Sequence, residues 1–129
     1  MALLEVKDLK LHFFTRQGAA RAVDGVSFKI EENETFGLIG ESGCGKTTMA
    51  LAIIQLIKPP GRIVDGTIHF DGRDLVTATA EELRLLRGKA IAIVRQEAQN
   101  ALNPVMNIGR QITEVIRQHE LISQSDAMQ

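Results

Sequence analysis

Gly40-Glu41-Ser42-Gly43-Cys44-Gly45-Lys46-Thr47 reads as glycine, four residues, glycine, lysine and threonine, the spacing of a phosphate-binding loop. Such a loop aims several backbone N–H groups inward at a phosphate, in left-handed or crowded conformations that a Cβ obstructs. Gly40, Gly43 and Gly45 meet that demand. Lys46 brings a mobile ammonium to the outer phosphates, Thr47 offers a hydroxyl to Mg2+, and a helix starting there adds its positive dipole end. The flanks agree: Thr35-Phe36-Gly37-Leu38-Ile39 is a short buried-strand run, and Thr48 to Ile57 is a helix-length apolar run, giving strand, loop, helix. The bare pattern would arise by chance in roughly one such chain in a few hundred. With its flanks it marks a nucleotide site.

Composition narrows the rest. The chain has 129 residues, 44% hydrophobic and 24% charged, with net charge −1, values of one ordinary globular domain that buries about two-thirds of its unfolded surface. The basic footprint of a nucleic-acid partner is absent. Met1-Ala2-Leu3-Leu4-Glu5 has neither a charged leader nor a long apolar core, and no run approaches the roughly 18 apolar residues of a membrane span. A cytoplasmic protein, neither secreted nor membrane-spanning, is expected. A single cysteine, Cys44, excludes an internal disulfide; inside the loop it is a neutral spacer or a thiol made acidic by the helix start and Lys46.

Leu4 and Val6, then Leu9, Leu11 and Phe13, alternate with polar residues, predicting a half-buried strand whose face shifts near Asp8. After the polar turn Thr15 to Gly18, Val26, Phe28 and Ile30 alternate with Ser27 and Lys29, predicting an antiparallel partner. Glu31-Glu32-Asn33-Glu34 is an exposed turn, and its charge run a solvated face. The helix after Lys46 is apolar all round but for Gln55, so it is expected to be buried, with Pro59-Pro60-Gly61 stopping it. Asp65-Gly66 and Asp71-Gly72 read as turns bounding a short strand, Thr67 to Phe70. Thr79 and Glu82 form a capping box for a helix through Leu86 that Gly88 ends. Ala90-Ile91-Ala92-Ile93-Val94 suits an interior parallel strand, and Ile108, Ile112, Val115 and Ile116 share one face of an amphipathic helix.

Ser123 and Asp126 form a helix start signal with little chain after it, so the polypeptide is expected to be a fragment of a longer one. His12, His69 and His119 are scattered, with no spacing that suggests a metal site or a triad. The chemistry on offer is phosphate chemistry.

From Leu3 to Gln129 these residues resemble the ATP-binding subunits of ABC transporters, within them those that energise dipeptide, oligopeptide or nickel import. Beyond the phosphate loop, the resemblance rests on Arg21-Ala22-Val23-Asp24-Gly25-Val26-Ser27-Phe28 and on Gln96-Glu97-Ala98-Gln99-Asn100-Ala101-Leu102-Asn103-Pro104. Leu102-Asn103-Pro104 is typical of the peptide-import subgroup. Arg95, Ala98 and Ala101 depart from the phenylalanine, proline and serine that the family often carries there. The implied fold class is α/β: the phosphate-loop NTPase core of an ABC nucleotide-binding domain with an N-terminal antiparallel β subdomain, truncated before the signature and the acidic strand end. The implied organisation is an antiparallel β region over 1–34, the phosphate loop and core over 35–95, and the glutamine loop and start of the helical subdomain over 96–129.

The resemblance also implies roles. ATP and Mg2+ are the cofactors. Gly40, Ser42, Gly43, Cys44, Gly45, Lys46, Thr47 and Thr48 hold the phosphates, and Lys46 and Gln96 serve catalysis. Thr47 and Gln96 touch Mg2+, an amide suiting Gln96 because it donates and accepts at once. Phe13 stacks on adenine, with Phe14 competing for the role and a core aromatic the plain alternative. The partners are transmembrane permease subunits and a second ATP-binding subunit, with peptide delivered through other subunits and no nucleic acid, on the cytoplasmic face of the membrane. A signature, an acidic strand end and a switch histidine do not occur before Gln129. Phosphoryl transfer is positioning plus charge stabilisation, so hydrolysis by the isolated chain is expected near the uncatalysed level. Turnover of about 1 s⁻¹ or more, abolished by Lys46→Ala, would contradict this. Two other functions compete: a truncated nucleotide-binding fragment without turnover, and a soluble phosphate-loop kinase, which has no use for the two leading strands or the Gln96 segment.

Overall fold

The computed structural model describes residues 2–97 and 101–128, so Ala98, Gln99 and Asn100 of the quoted motif lie outside the described residues. The chain divides into two compact units, one ending at Leu83 and one beginning at Arg84.

The first unit is built on an antiparallel sheet of β1 (Leu4–Thr15), β2 (Gly18–Ile30), β3 (Gly61–Phe70) and β4 (Arg73–Asp74), in the order β2-β1-β3-β4. The predicted pairing of the first two strands is present, joined by a tight turn in which Thr15 faces Gly18. The predicted shift of face at Asp8 is a bulge. Pairing steps from Val6–Phe28 to Leu9–Val26, Asp8 takes φ +45, and its N–H donates to Ser27 Oγ at 2.8 Å. Strict alternation would turn Leu9 and Leu11 away from the face of Leu4 and Val6; one extra residue restores them to it. All four are buried.

Asp65-Gly66, expected as a turn, instead lies inside β3. The β1–β3 ladder runs on both sides of it, pairing Lys7 with Thr67 and Lys10 with Asp65, so Gly66 is the counterpart of the β1 bulge, at φ +91. The core gathers Leu9, Leu11, Val23 and Ile68 of the sheet with Leu75 and with Met49 and Ala52 of α1 (Lys46–Ile53), which packs on β2. Each fully buried leucine or isoleucine here contributes about 1.5–3 kcal/mol.

Two expectations near the loop are corrected. The run Thr35 to Ile39 forms no ladder, and Ile39 is 96% exposed. An apolar run becomes a buried parallel strand only between hydrogen-bonded neighbours, and among the described residues no strand pairs with it, although the Phe36 ring stacks on that of Phe28 in β2 at 5.0 Å. The helix begins at Lys46 and ends at Ile53 rather than reaching Ile57; Gln55, at φ +55, breaks the helical path. Within it only Met49 and Ala52 are buried, so its apolar circumference is half used.

The capping box is present as predicted. Glu82 accepts the Thr79 N–H at 2.7 Å and Thr79 Oγ1 accepts the Glu82 N–H at 3.3 Å, starting α2 (Ala80–Leu86), and Gly88 follows at φ +83. In the second unit, Ala90 to Val94 was expected as an interior strand. Instead Ile91 makes a lone bridge back to Arg87, residues 92–95 are irregular and Val94 is 92% exposed. The reason is again the lack of flanking strands among the described residues. Asn107 caps α3 (Ile108–His119), accepting the Gly109 N–H at 2.9 Å. The apolar face of α3 is present as predicted, but Ile108, Ile112 and Val115 on it are exposed. The predicted start signal caps α4 (Gln124–Ala127), Ser123 Oγ accepting the Asp126 N–H. No helix among the described residues is long and apolar enough to cross a membrane.

The sheet carries paired charges that give stability a defined pH profile. Hydrogen bonds from Lys29, then Lys7, hold the Glu5 carboxyl below its ordinary value of 4.5. Lys10, and then the Gly66 N–H, hold Asp65 below 3.8; the Thr79 N–H and hydroxyl do the same for Glu82. Lys10 and Lys29 are correspondingly raised above 10.5 by Asp65 and Glu5. A depressed carboxyl stabilises fully above its unfolded value and loses that contribution as pH falls through its folded value; a raised lysine stabilises fully below 10.5 and loses it as pH rises further. Thermal midpoints are therefore expected to be flat through neutral pH and to fall below about pH 4.5 and above about pH 10.5, with both limbs shallower at high salt. A midpoint still rising as pH drops below 4 would show these pairs to be ineffective.

Candidate functional site

The phosphate loop connects residues 35–39 to α1 within the first unit. Its glycines are used as the sequence requires. Gly43 and Gly45 take φ +81 and +96, and a Cβ on Gly40 would lie 2.5 Å from Cys44 Sγ. Gly45 is constrained twice, because a Cβ there would also stand 2.6 Å from the Ala22 carbonyl oxygen. Within the Arg21-to-Phe28 stretch, Ala22 thus acts through its backbone, β2 setting how closely the loop can approach the sheet. Spacing in the sequence gives no sign of that contact.

Gly45 is also the N-cap of α1. It has no side chain to occupy the first-turn N–H groups, and no acidic residue sits in that turn, so the positive helix end is left to a ligand. Lys46 Nζ donates to the carbonyl oxygens of Gly40 and Glu41 at 2.6 and 2.5 Å and stands 3.5 Å from Cys44 Sγ. The ammonium is folded onto its own loop, where it holds the backbone curved and is ready to exchange carbonyls for phosphate oxygens. Ser42 and Thr47 are exposed, Thr48 half-buried. Beside the loop lies a cavity of about 230 Å³ lined by Val23, Val26, Leu38, Met49 and Lys46 among others.

Phe13 is half-buried, its ring lying where a Cβ on Gly61 would fall, at 2.6 Å. Phe14 is exposed and carries the Arg62 guanidinium 4.2 Å from its ring centroid, so one of its faces is already engaged. Gln96 belongs to the other unit, exposed in an irregular stretch. The loop residues are therefore brought together as one site, while Phe13 stands on the sheet and Gln96 in a separate unit.

Among the described residues no group of three or more His, Cys, Asp or Glu could hold a metal ion by itself.

The family model of the ABC transporter matches residues 23–129. The chain is 45% identical over 126 residues to the oligopeptide transport ATP-binding protein OppD of Bacillus subtilis, covering 97% of this chain and 35% of that protein. It is 40% identical over 120 residues to the dipeptide transport ATP-binding protein DppD of Escherichia coli, covering 93% of this chain and 37% of that protein. The chain thus spans little more than a third of the length of these relatives. In fold it matches the dimeric structure of MJ0796, a bacterial ABC transporter cassette, with a TM-score of 0.81 at 23% identity, covering 97% of this chain and 52% of that one. A second solved structure, of the same cassette bound to ADP and Pi after hydrolysis, matches with a TM-score of 0.77 at 22% identity.

Proposed function

The chain belongs to the ABC transporter family, and on that premise we propose that it supplies the phosphate-loop part of an ATP-binding subunit that energises peptide import. The observation that carries this is the loop itself: left-handed Gly43 and Gly45, an uncapped helix start and a lysine whose ammonium already gathers oxygens. These donors and the space kept free of Cβ atoms fit a polyphosphate. Relatives described as oligopeptide and dipeptide transport ATP-binding proteins support peptide as the cargo, and the cassette bound to ADP and Pi supports adenine nucleotide as ligand.

In this reading Gly40, Thr48 and the residues from Ser42 to Thr47 bind the phosphates and Phe13 stacks on the base. An Mg2+ would be held by Thr47 and Gln96 together with nucleotide oxygens, and it would neutralise phosphate charge. Lys46 stabilises charge on the outer phosphates, and Gln96 orients water with its two-way amide. Residues 1–34 form the antiparallel β region, 35–95 the loop and core, and 96–129 the glutamine loop and the start of a helical subdomain. The complete protein works with permease subunits and a second ATP-binding subunit at the cytoplasmic face of the membrane. Titration with a fluorescent ATP analogue and Mg2+, with Lys46→Ala as control, tests the reading. Saturable binding lost in the variant supports it, and binding that ignores Lys46 contradicts it.

A further inference from the structure

At one end of the β1–β3 ladder, Phe13 stands directly opposite Gly61. Residues so paired project from the same face of a sheet, their Cβ positions about 4.5–5.5 Å apart. Gly61 has no Cβ, and the room is taken. An added Cβ would fall 2.6 and 3.0 Å from Cε1 and Cδ1 of the Phe13 ring and 2.8 Å from Cγ2 of Ile57. The ring and the Ile57 side chain therefore close together over a bare Cα, and Gly61 is buried. The backbone around the pair is pinned as well: the Gly61 N–H reaches the Lys58 carbonyl and the Phe14 N–H the Pro60 carbonyl, each at 3.0 Å.

This glycine differs in kind from Gly45 and Gly66. Those two take φ +96 and +91, and a Cβ on either would meet backbone atoms first. Gly61 lies outside the left-handed region, so its backbone takes alanine without strain, and the three atoms nearest to an added methyl all belong to side chains. A main chain held in a ladder yields poorly, whereas a ring turns about its side-chain torsions. A methyl at position 61 would thus leave the ladder standing and move the ring. In the sequence, Pro59-Pro60-Gly61 reads only as the stop of a helix; strand pairing gives its glycine a second task.

We infer that Gly61 is a positioning residue for the base end of the nucleotide site: the space left by its missing Cβ sets where the Phe13 ring lies, and thereby where a base stacks. This rests on the proposed reading in which Phe13 stacks on the base, and it adds a residue that acts through Phe13 rather than by contact with the nucleotide. Phe13 is half-buried, so the ring is fixed along one side and retains open surface. Stacking strength depends on how the two planes are placed. A displaced ring loses affinity that depends on the base, while the phosphate loop, whose donors lie between Gly40 and Thr48, keeps its hold on phosphate.

The test uses the complete ATP-binding subunit and two probes, Mg2+–ATP and Mg2+–tripolyphosphate, which carries phosphates without base or sugar. Gly61→Ala should weaken ATP binding roughly tenfold, the order lost when a stacking ring is removed, with tripolyphosphate affinity unchanged and the thermal midpoint close to wild type. Phe13→Ala should lose ATP affinity to a similar extent. The Gly61→Ala/Phe13→Ala double variant should bind no more weakly than Phe13→Ala alone, because no ring is left to displace. Undiminished ATP affinity in Gly61→Ala overturns the inference. Equal weakening of both probes, or a collapse of the midpoint, overturns it too, since Gly61 would then be a packing position only. Additive losses in the double variant do the same. Phe13→Ala binding ATP like wild type would instead overturn the base-stacking reading beneath it.

Discussion

Replacing Lys46 by alanine is expected to weaken binding of an Mg2+–ATP analogue by on the order of 10- to 100-fold, from the loss of about 1.5–3 kcal/mol of charge-assisted hydrogen bonding. The thermal midpoint should hardly move. The asymmetry follows from where the ammonium sits. Its partners, the Gly40 and Glu41 carbonyls, lie in an exposed loop, where water replaces the lost donor at little cost. A phosphate has no such substitute, because the remaining loop donors are neutral N–H groups. Lys46→Arg should not rescue fully, since a planar fork on a longer stem does not reproduce a compact ammonium. Calorimetric or fluorescence titration of wild type and both variants measures the effect. Equal affinity in wild type and Lys46→Ala would place the phosphate site elsewhere. A large drop in midpoint would show that Lys46 acts chiefly as a brace for the loop.

Gly66→Ala should be the most destabilising single methyl that can be added to the sheet, costing about 3 kcal/mol or more and lowering the midpoint by on the order of 10–20 °C. Two costs combine. Gly66 is at φ +91, and a Cβ would stand 2.6 Å from the Lys7 and Asp8 carbonyl oxygens and from Leu9 Cα. These are backbone atoms of β1, which cannot swing aside as a side-chain end can. Moving them would separate β1 from β3 beside Leu9, Leu11 and Ile68, the buried centre of the sheet. Gly72 supplies the control: it too has positive φ, +74, but nothing lies within 4 Å of the added methyl. Gly72→Ala should therefore cost only the left-handed penalty of about 1–2 kcal/mol. Equal losses at the two positions would mean that the close approach at the bulge does not govern stability.

Gly66 also shows where reading the sequence stops. Asp-Gly is a strong turn signal, and the residues on either side of it alternate no better than a turn's would. What makes the pair a bulge is β1 lying alongside, with its own extra residue at Asp8. The shift at Asp8, by contrast, was legible, because it changes the parity of a hydrophobic pattern within one strand. Gln111 on α3 was invisible for a related reason: its amide accepts the Asn103 N–H and donates to the Asn103 and Met106 carbonyls across a turn, and nothing in an amphipathic helix pattern distinguishes such a glutamine from one that faces water.

The sequence by itself determined the features whose causes lie within a few residues of one another: the Gly40-to-Thr47 loop, the Thr79–Glu82 and Ser123–Asp126 helix starts, and the alternation of β1 and β2. In each, the backbone group to be satisfied and the side chain that satisfies it are close in the chain. Tertiary structure alone decided what depends on neighbours: that Gly45 meets the Ala22 carbonyl, that Gly66 is a bulge, and that the apolar runs 35–39 and 90–94 are not strands among the described residues. An apolar run states only that it can be buried. Whether it is buried, and as what, depends on the element that comes to lie against it, because both the hydrophobic gain and the ladder hydrogen bonds are supplied by that partner.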